Sequence, residues 1–118
     1  MNLFEKYGGA DFWSDFLNTV YACLTTSEYV KKHFEGKNIS HIKEMLLGLL
    51  ELTLVSNVDI PRDEMKEFHK HLMISENEFN EWISIYRFTL DKSGVSEEDC
   101  ALIIRILSSF KEVVVYED

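Results

Sequence analysis

Apolar residues recur three and four positions apart along almost the whole chain, and strict apolar alternation is nearly absent. That spacing lines one face of an α-helix, whereas a half-buried strand needs a period of two. One proline, Pro61, and five glycines are all that interrupt it. The chain therefore reads as all-α, with four main helices and short pieces between them. Trp13, Phe16, Leu17, Val20, Tyr21 and Leu24 make one stripe over residues 11–25, and Ile42, Leu46, Leu49 and Leu50 make the next over 40–54. The loop VSNVDIP follows, with Pro61 suited to the first position of another helix and Asp63 and Glu64 favourable in its first turn. Ser75-Glu76-Asn77-Glu78 has the form of a capping box ahead of Phe79, Trp82, Ile83, Tyr86 and Leu90. Gly94 stops that helix, and Ser96-Glu97-Glu98-Asp99 opens the last, which turns Cys100, Ile103, Ile104, Leu107 and Phe110 inward. The closing VVVY has extended character but no second run to pair with.

A chain of 118 residues is one domain, 1–118, able to bury roughly two-thirds of the surface its unfolded form exposes. No apolar run approaches the roughly 20 residues of a membrane span, the longest being broken by Glu51. The opening MNLFEKYGG lacks the basic and then apolar layout of a secretory signal. A net charge of −9 repels phosphate backbones, so nucleic acid and anionic membranes are poor partners. Cys23 and Cys100 both fall in apolar helical patterns and read as reduced core thiols. These features together point to a cytoplasmic protein.

The stretch MKEFHKHLMIS, residues 65–75, holds two histidines one residue apart. Met65, Phe68, His69 and Leu72 share a helix face, so His69 lies on the buried stripe, while His71 points away beside Glu64 and Glu67. An inward histidine is ordinarily a hydrogen-bonded core residue; the alternative is a ligand. There is no HExxH, no CxxC and no paired Glu-x-x-His, which disfavours a metal site made of side chains alone. A single histidine suffices where a macrocycle supplies the other ligands, as in haem proteins.

Five stretches in order resemble the truncated haemoglobins, short globins with a two-over-two helical sandwich. Phe4-Glu5-Lys6-Tyr7-Gly8-Gly9 is similar to their opening, in which the glycine pair turns the chain into the first long helix. Val20-Tyr21 stands where a Phe-Tyr pair is typical, the tyrosine facing the distal pocket. His33-Phe34-Glu35-Gly36 resembles the Phe-Phe-x-Gly corner. Met65 to Ile74 resembles the proximal segment, and Phe79-Asn80-Glu81-Trp82-Ile83 the helix on which two of the family's three groups carry a tryptophan facing the distal side. The chain departs from the pattern at Val55 to Asp59, where a second glycine pair is usual, and at Ile42 and Leu46, where polar residues are common.

The resemblance implies haem b as cofactor, with His69 as the iron ligand. It also implies that Phe34, Ile42, Leu46 and Phe68 line the ring, with Lys43, Arg62 and Lys66 as partners for the haem propionates. Tyr21 and Trp82 become the hydrogen-bond donors to a bound ligand. The implied ligands are dioxygen, nitric oxide or other small molecules. Oxygen binding or transport, nitric oxide dioxygenation and peroxidase-like reduction share that one site, and turnover would draw on an external reductase. His33 and His41 are the residues that a small rotation could bring toward the iron. The rival reading is a haem-free helical interaction or sensor module whose pocket is filled by side chains. Against it, an imidazole buried without a partner costs about 1–3 kcal/mol.

Overall fold

The computed structural model describes residues 2–28, 30–56, 66 and 73–115. A short helix α1 (Leu3–Lys6) leads into α2 (Gly9–Leu24). Gly8 and Gly9 have φ of 126° and 67°, a region closed to most side chains. A Cβ at Gly8 would also meet the Phe12 Cβ at 3.1 Å. This pair sets the angle between the two helices. After α2 a 3₁₀ turn, Lys31–Phe34, leads to α3 (Ile39–Glu51), which is capped by the Asn38 side chain accepting from the His41 N–H. The helix expected over 40–54 loosens into a π turn at Leu52–Ser56, where the Thr53 hydroxyl donates to the Leu49 carbonyl at 2.8 Å.

The second half starts at α4 (Glu76–Lys92), whose capping box forms in full between Ser75 and Glu78. Gly94, at φ 88°, turns the chain back into α5 (Glu97–Ser108), opened by Ser96 accepting from the Asp99 N–H. A last turn of helix, α6 (Lys111–Val114), ends at Val115. Val115 is paired after all: it makes a single parallel bridge with Ile74. An ion pair between Lys111 and Glu76 holds α6 to the start of α4. Helix α2 packs on both α3 and α4, and α4 packs on α5. The core runs through the middle of this arrangement, with Trp13, Leu17, Leu24 and Leu90 as its most deeply buried large side chains. Both cysteines are free and half-buried. Among the described residues, no helix is long and apolar enough to cross a membrane.

Candidate functional site

Between these helix pairs lies a cavity of about 260 Å³. Domain interiors pack with few voids larger than a water molecule, so an apolar space of this size is a feature rather than slack. Helix α2 contributes Tyr21 and Leu24, the 3₁₀ turn His33 and Phe34, and α3 Ile42, Met45, Leu46 and Leu49. Across from them stand Glu78, Phe79, Trp82 and Tyr86 of α4, with Leu107 and Phe110 closing the end. Tyr21 meets Phe34 edge-on with centroids 5.4 Å apart, and Trp82 lies between Phe79 at 5.4 Å and Tyr86 at 4.8 Å.

The polar groups of this wall are few. Tyr21 is 5% exposed. Among the described residues none hydrogen-bonds its hydroxyl, and no buried side-chain nitrogen or oxygen lacks a partner. The hydroxyl is therefore not sealed in protein but opens on the cavity. Burial pushes its phenol well above the ordinary tyrosine value, so it remains a protonated donor at any physiological pH. Tyr86 is shifted the same way, first by burial and then by the proximity of Tyr21.

One rim of the cavity is ionic. The Glu78 carboxylate lies 2.7 Å from His33 Nε2 and 3.2 Å from Lys32 Nζ, and accepts from the Ser75 backbone N–H at 2.9 Å. Burial pushes this carboxyl up, but the Ser75 backbone N–H, His33, the Ser75 hydroxyl and Lys32 together outweigh it and hold the pKa down to about 2. One side chain thus caps α4 and binds the 3₁₀ turn to it. His33 lines the cavity as part of this pair, whereas His41 is exposed on the outer face of α3.

Of the residues nominated from the sequence, Tyr21, Phe34, Ile42, Leu46 and Trp82 converge on this one cavity. Lys43 does not; its ammonium donates to the Asn18 side-chain oxygen at 2.8 Å, tying α3 to α2. Lys66 is exposed. Arg62, Phe68 and His69 lie outside the described residues. Lys37, unlike Lys43, lines the cavity and was not singled out. Tyr86 falls on the apolar stripe of α4 in the sequence, and its position one turn after Trp82 puts both on one face. The sequence shows Glu78 only as a cap, because its second contact, to His33, spans 45 residues of sequence.

Three comparisons bear on this arrangement. No protein-family profile matches the sequence, and no curated protein matches it. Solved structures do match. The truncated haemoglobin of Tetrahymena pyriformis, in its Fe(III) form, superposes with a TM-score of 0.86 over 99% of this chain and 100% of its own, at 19% identity. The 2/2 haemoglobin of a Synechococcus species, in the cyanomet state with covalently attached haem, gives 0.88 over 98% of each chain, at 18% identity. The chain has the truncated-haemoglobin fold. A group II truncated haemoglobin from Bacillus anthracis extends the likeness, at 0.83 over 99% of this chain and 92% of its own, with 15% identity. The two-over-two sandwich is thus α2 and α3 against α4 and α5, and the cavity lies between the pairs.

The residues present fit a haem. The cavity wall is apolar and aromatic, as a macrocycle requires, and its free donor is a phenol, suited to a small ligand carrying partial negative charge. Phe34, Ile42, Leu46, Phe79 and Lys37 line the cavity; the four apolar side chains would contact the ring, and Lys37 would be a cation for its carboxylates.

Proposed function

We propose that this chain is a haem-binding globin that holds dioxygen or another diatomic ligand in the cavity beside Tyr21, with His69 as the protein ligand to the iron. The observation that carries this reading is an apolar cavity of about 260 Å³ into which a buried tyrosine hydroxyl opens with no hydrogen-bond partner among the described residues. A haem-free module with a collapsed pocket needs no such space and gains nothing from an unpartnered donor. His69 is consistent with this geometry. Ile74, five residues after His69 in sequence, lines the cavity, and five residues reach no farther than about 18 Å. When bound, haem b would supply an iron centre able to take a diatomic ligand. The protein's part would be to exclude water, to hold the iron through the His69 imidazole and to present the Tyr21 hydroxyl as a donor to the bound ligand. Cys23 and Cys100, both unpaired, suit a reducing, cytoplasmic setting, and any turnover with nitric oxide or peroxide draws electrons from an outside reductase.

The test is the visible spectrum of the purified protein with stoichiometric haem in ferric, ferrous and carbon-monoxide forms, beside His69→Ala. A sharp Soret band that shifts with carbon monoxide and changes in the variant is expected. A broad free-haemin spectrum, indifferent to His69→Ala, would discard the reading and leave the haem-free interaction module in its place.

A further inference from the structure

The resemblance implies that Trp82 presents its indole N–H to a bound ligand; in the structure its ring packs against a second tyrosine of the same cavity. Tyr86 follows it by one helical turn, with ring centroids 4.8 Å apart at 62°. Phe16 clamps Tyr86 from behind at 5.6 Å and 68°, and only 2% of Tyr86 is exposed. An indole nitrogen can only donate, whereas a phenol oxygen can accept one hydrogen bond and still donate its own proton. Among the described residues no side chain meets the hydrogen-bond geometry with the Tyr86 hydroxyl, so its proton is left to whatever occupies the cavity that Tyr21 and Tyr86 both line.

We infer that Tyr86 is a second ligand-binding donor of this cavity, with Trp82 as the residue whose ring packing positions it. Resting on the haem reading, this assigns the site a preference. Two phenol hydroxyls from different helices suit a small ligand with two acceptor atoms, dioxygen, over carbon monoxide, whose oxygen is a poor acceptor. Neither hydroxyl ionises under physiological conditions, since burial raises both phenols, so the preference does not fade with pH in the neutral range. The ring stack on Phe16 and Trp82 fixes where the second donor points, and fixed donors stabilise developing or partial charge without reorganisation.

The experiment compares haem-loaded parent protein with Tyr86→Phe, Trp82→Phe and the double variant. It reads the dioxygen dissociation rate and the infrared C–O stretching frequency of the carbon-monoxide form. Tyr86→Phe should speed dioxygen dissociation roughly fivefold, the effect of one hydrogen bond. It should also move the C–O stretch to higher frequency while leaving carbon monoxide affinity nearly unchanged. Trp82→Phe should act in the same direction but less, and add nothing once Tyr86 is gone. Unchanged dissociation and an unchanged stretch in Tyr86→Phe would overturn the assignment, as would a Trp82→Phe effect that persists at full size in the double variant. Should Tyr86→Phe fail to fold, Trp82→Phe alone decides, and an unaltered dissociation rate there sinks the proposal. A parent protein that shows no haem spectrum removes the haem reading and this inference with it. That result differs from a haem-loaded protein in which Tyr86→Phe is silent.

Discussion

Two aromatic clusters lie about two turns apart along α2, and they use their polar tips in opposite ways. At the first, Trp13 is fully buried and its indole N–H donates to the Phe4 carbonyl at 3.0 Å. Its neighbour Tyr7 donates to Asp99 and accepts from the Ser96 N–H at 3.1 Å. Every polar atom there closes a contact within the protein. At the second cluster, Tyr21, Phe34, Trp82 and Tyr86 surround a cavity, and among the described residues nothing hydrogen-bonds the Tyr21 hydroxyl that faces it. Composition, burial and ring geometry are alike at the two ends. What separates a core from a site is an unfilled volume with a donor left over, and substitutions should tell the two apart.

The largest difference should come from deleting an indole at each end. Trp13→Ala removes a side chain packed on all sides by Phe4, Phe12 and Phe16 and should cost about 3–5 kcal/mol in denaturant unfolding. Trp82→Ala should cost clearly less, because one side of that ring already borders empty space and fewer contacts are lost. Equal losses would mean that the cavity closes around its contents in solution.

The rim of the cavity is held by charge, where the sealed cluster is held chiefly by packing. Glu78→Gln should destabilise the protein by about 2 kcal/mol at neutral pH, since His33 and Lys32 lose a buried carboxylate partner. The sign of its pH dependence follows from a folded pKa of about 2 against an ordinary 4.5. A depressed carboxyl stabilises fully above 4.5 and loses that contribution as pH falls toward 2. Unfolding in urea at stepped pH should therefore show the gap between parent and variant narrowing across that window. A gap that is constant down to pH 2 would mean that Glu78 acts through capping geometry alone.

Much of this was legible in the sequence because helix periodicity and capping are local. The stripes of α2, α4 and α5 fall where the spacing of Trp13, Phe79 and Ile103 puts them, and the Ser75–Glu78 and Ser96–Asp99 caps form as written. Convergence of Tyr21, Phe34, Ile42, Leu46 and Trp82 on one cavity came from resemblance, since periodicity alone would have made them all core. The readings that missed are long-range. Val115 finds its partner in Ile74, Glu78 finds His33, and Lys43 turns to Asn18 on the neighbouring helix rather than toward the cavity. None of these contacts leaves a periodic trace, because each depends on how the helices cross.

A gentler probe adds bulk instead of removing it. In a closed core, an enlarged side chain strains its surroundings by about 1–3 kcal/mol. Leu46 lines the cavity, so Leu46→Trp should be absorbed by the void and change the stability of the haem-free protein by less than about 1 kcal/mol. The same substitution should sharply reduce haem uptake in a Soret titration, because the added ring takes the space the macrocycle needs. Strong destabilisation of the haem-free protein would instead show that the space is already occupied by side chains in solution.

The smallest expected effect is the most discriminating, because it places one chemical change at both clusters. Tyr7→Phe deletes a hydroxyl that bonds to Asp99 and Ser96 and should cost about 1–2 kcal/mol. Tyr21→Phe deletes a hydroxyl with no protein partner among the described residues, so it should leave the stability of the haem-free protein within about 0.5 kcal/mol of the parent. A hydroxyl that contributes nothing to folding yet sits on a buried tyrosine is there for something that binds. If Tyr21→Phe costs as much as Tyr7→Phe, the hydroxyl serves the fold, and the second cluster becomes a core like the first. If it costs nothing, the two clusters differ as the geometry says, and Tyr21 belongs to the contents of the cavity.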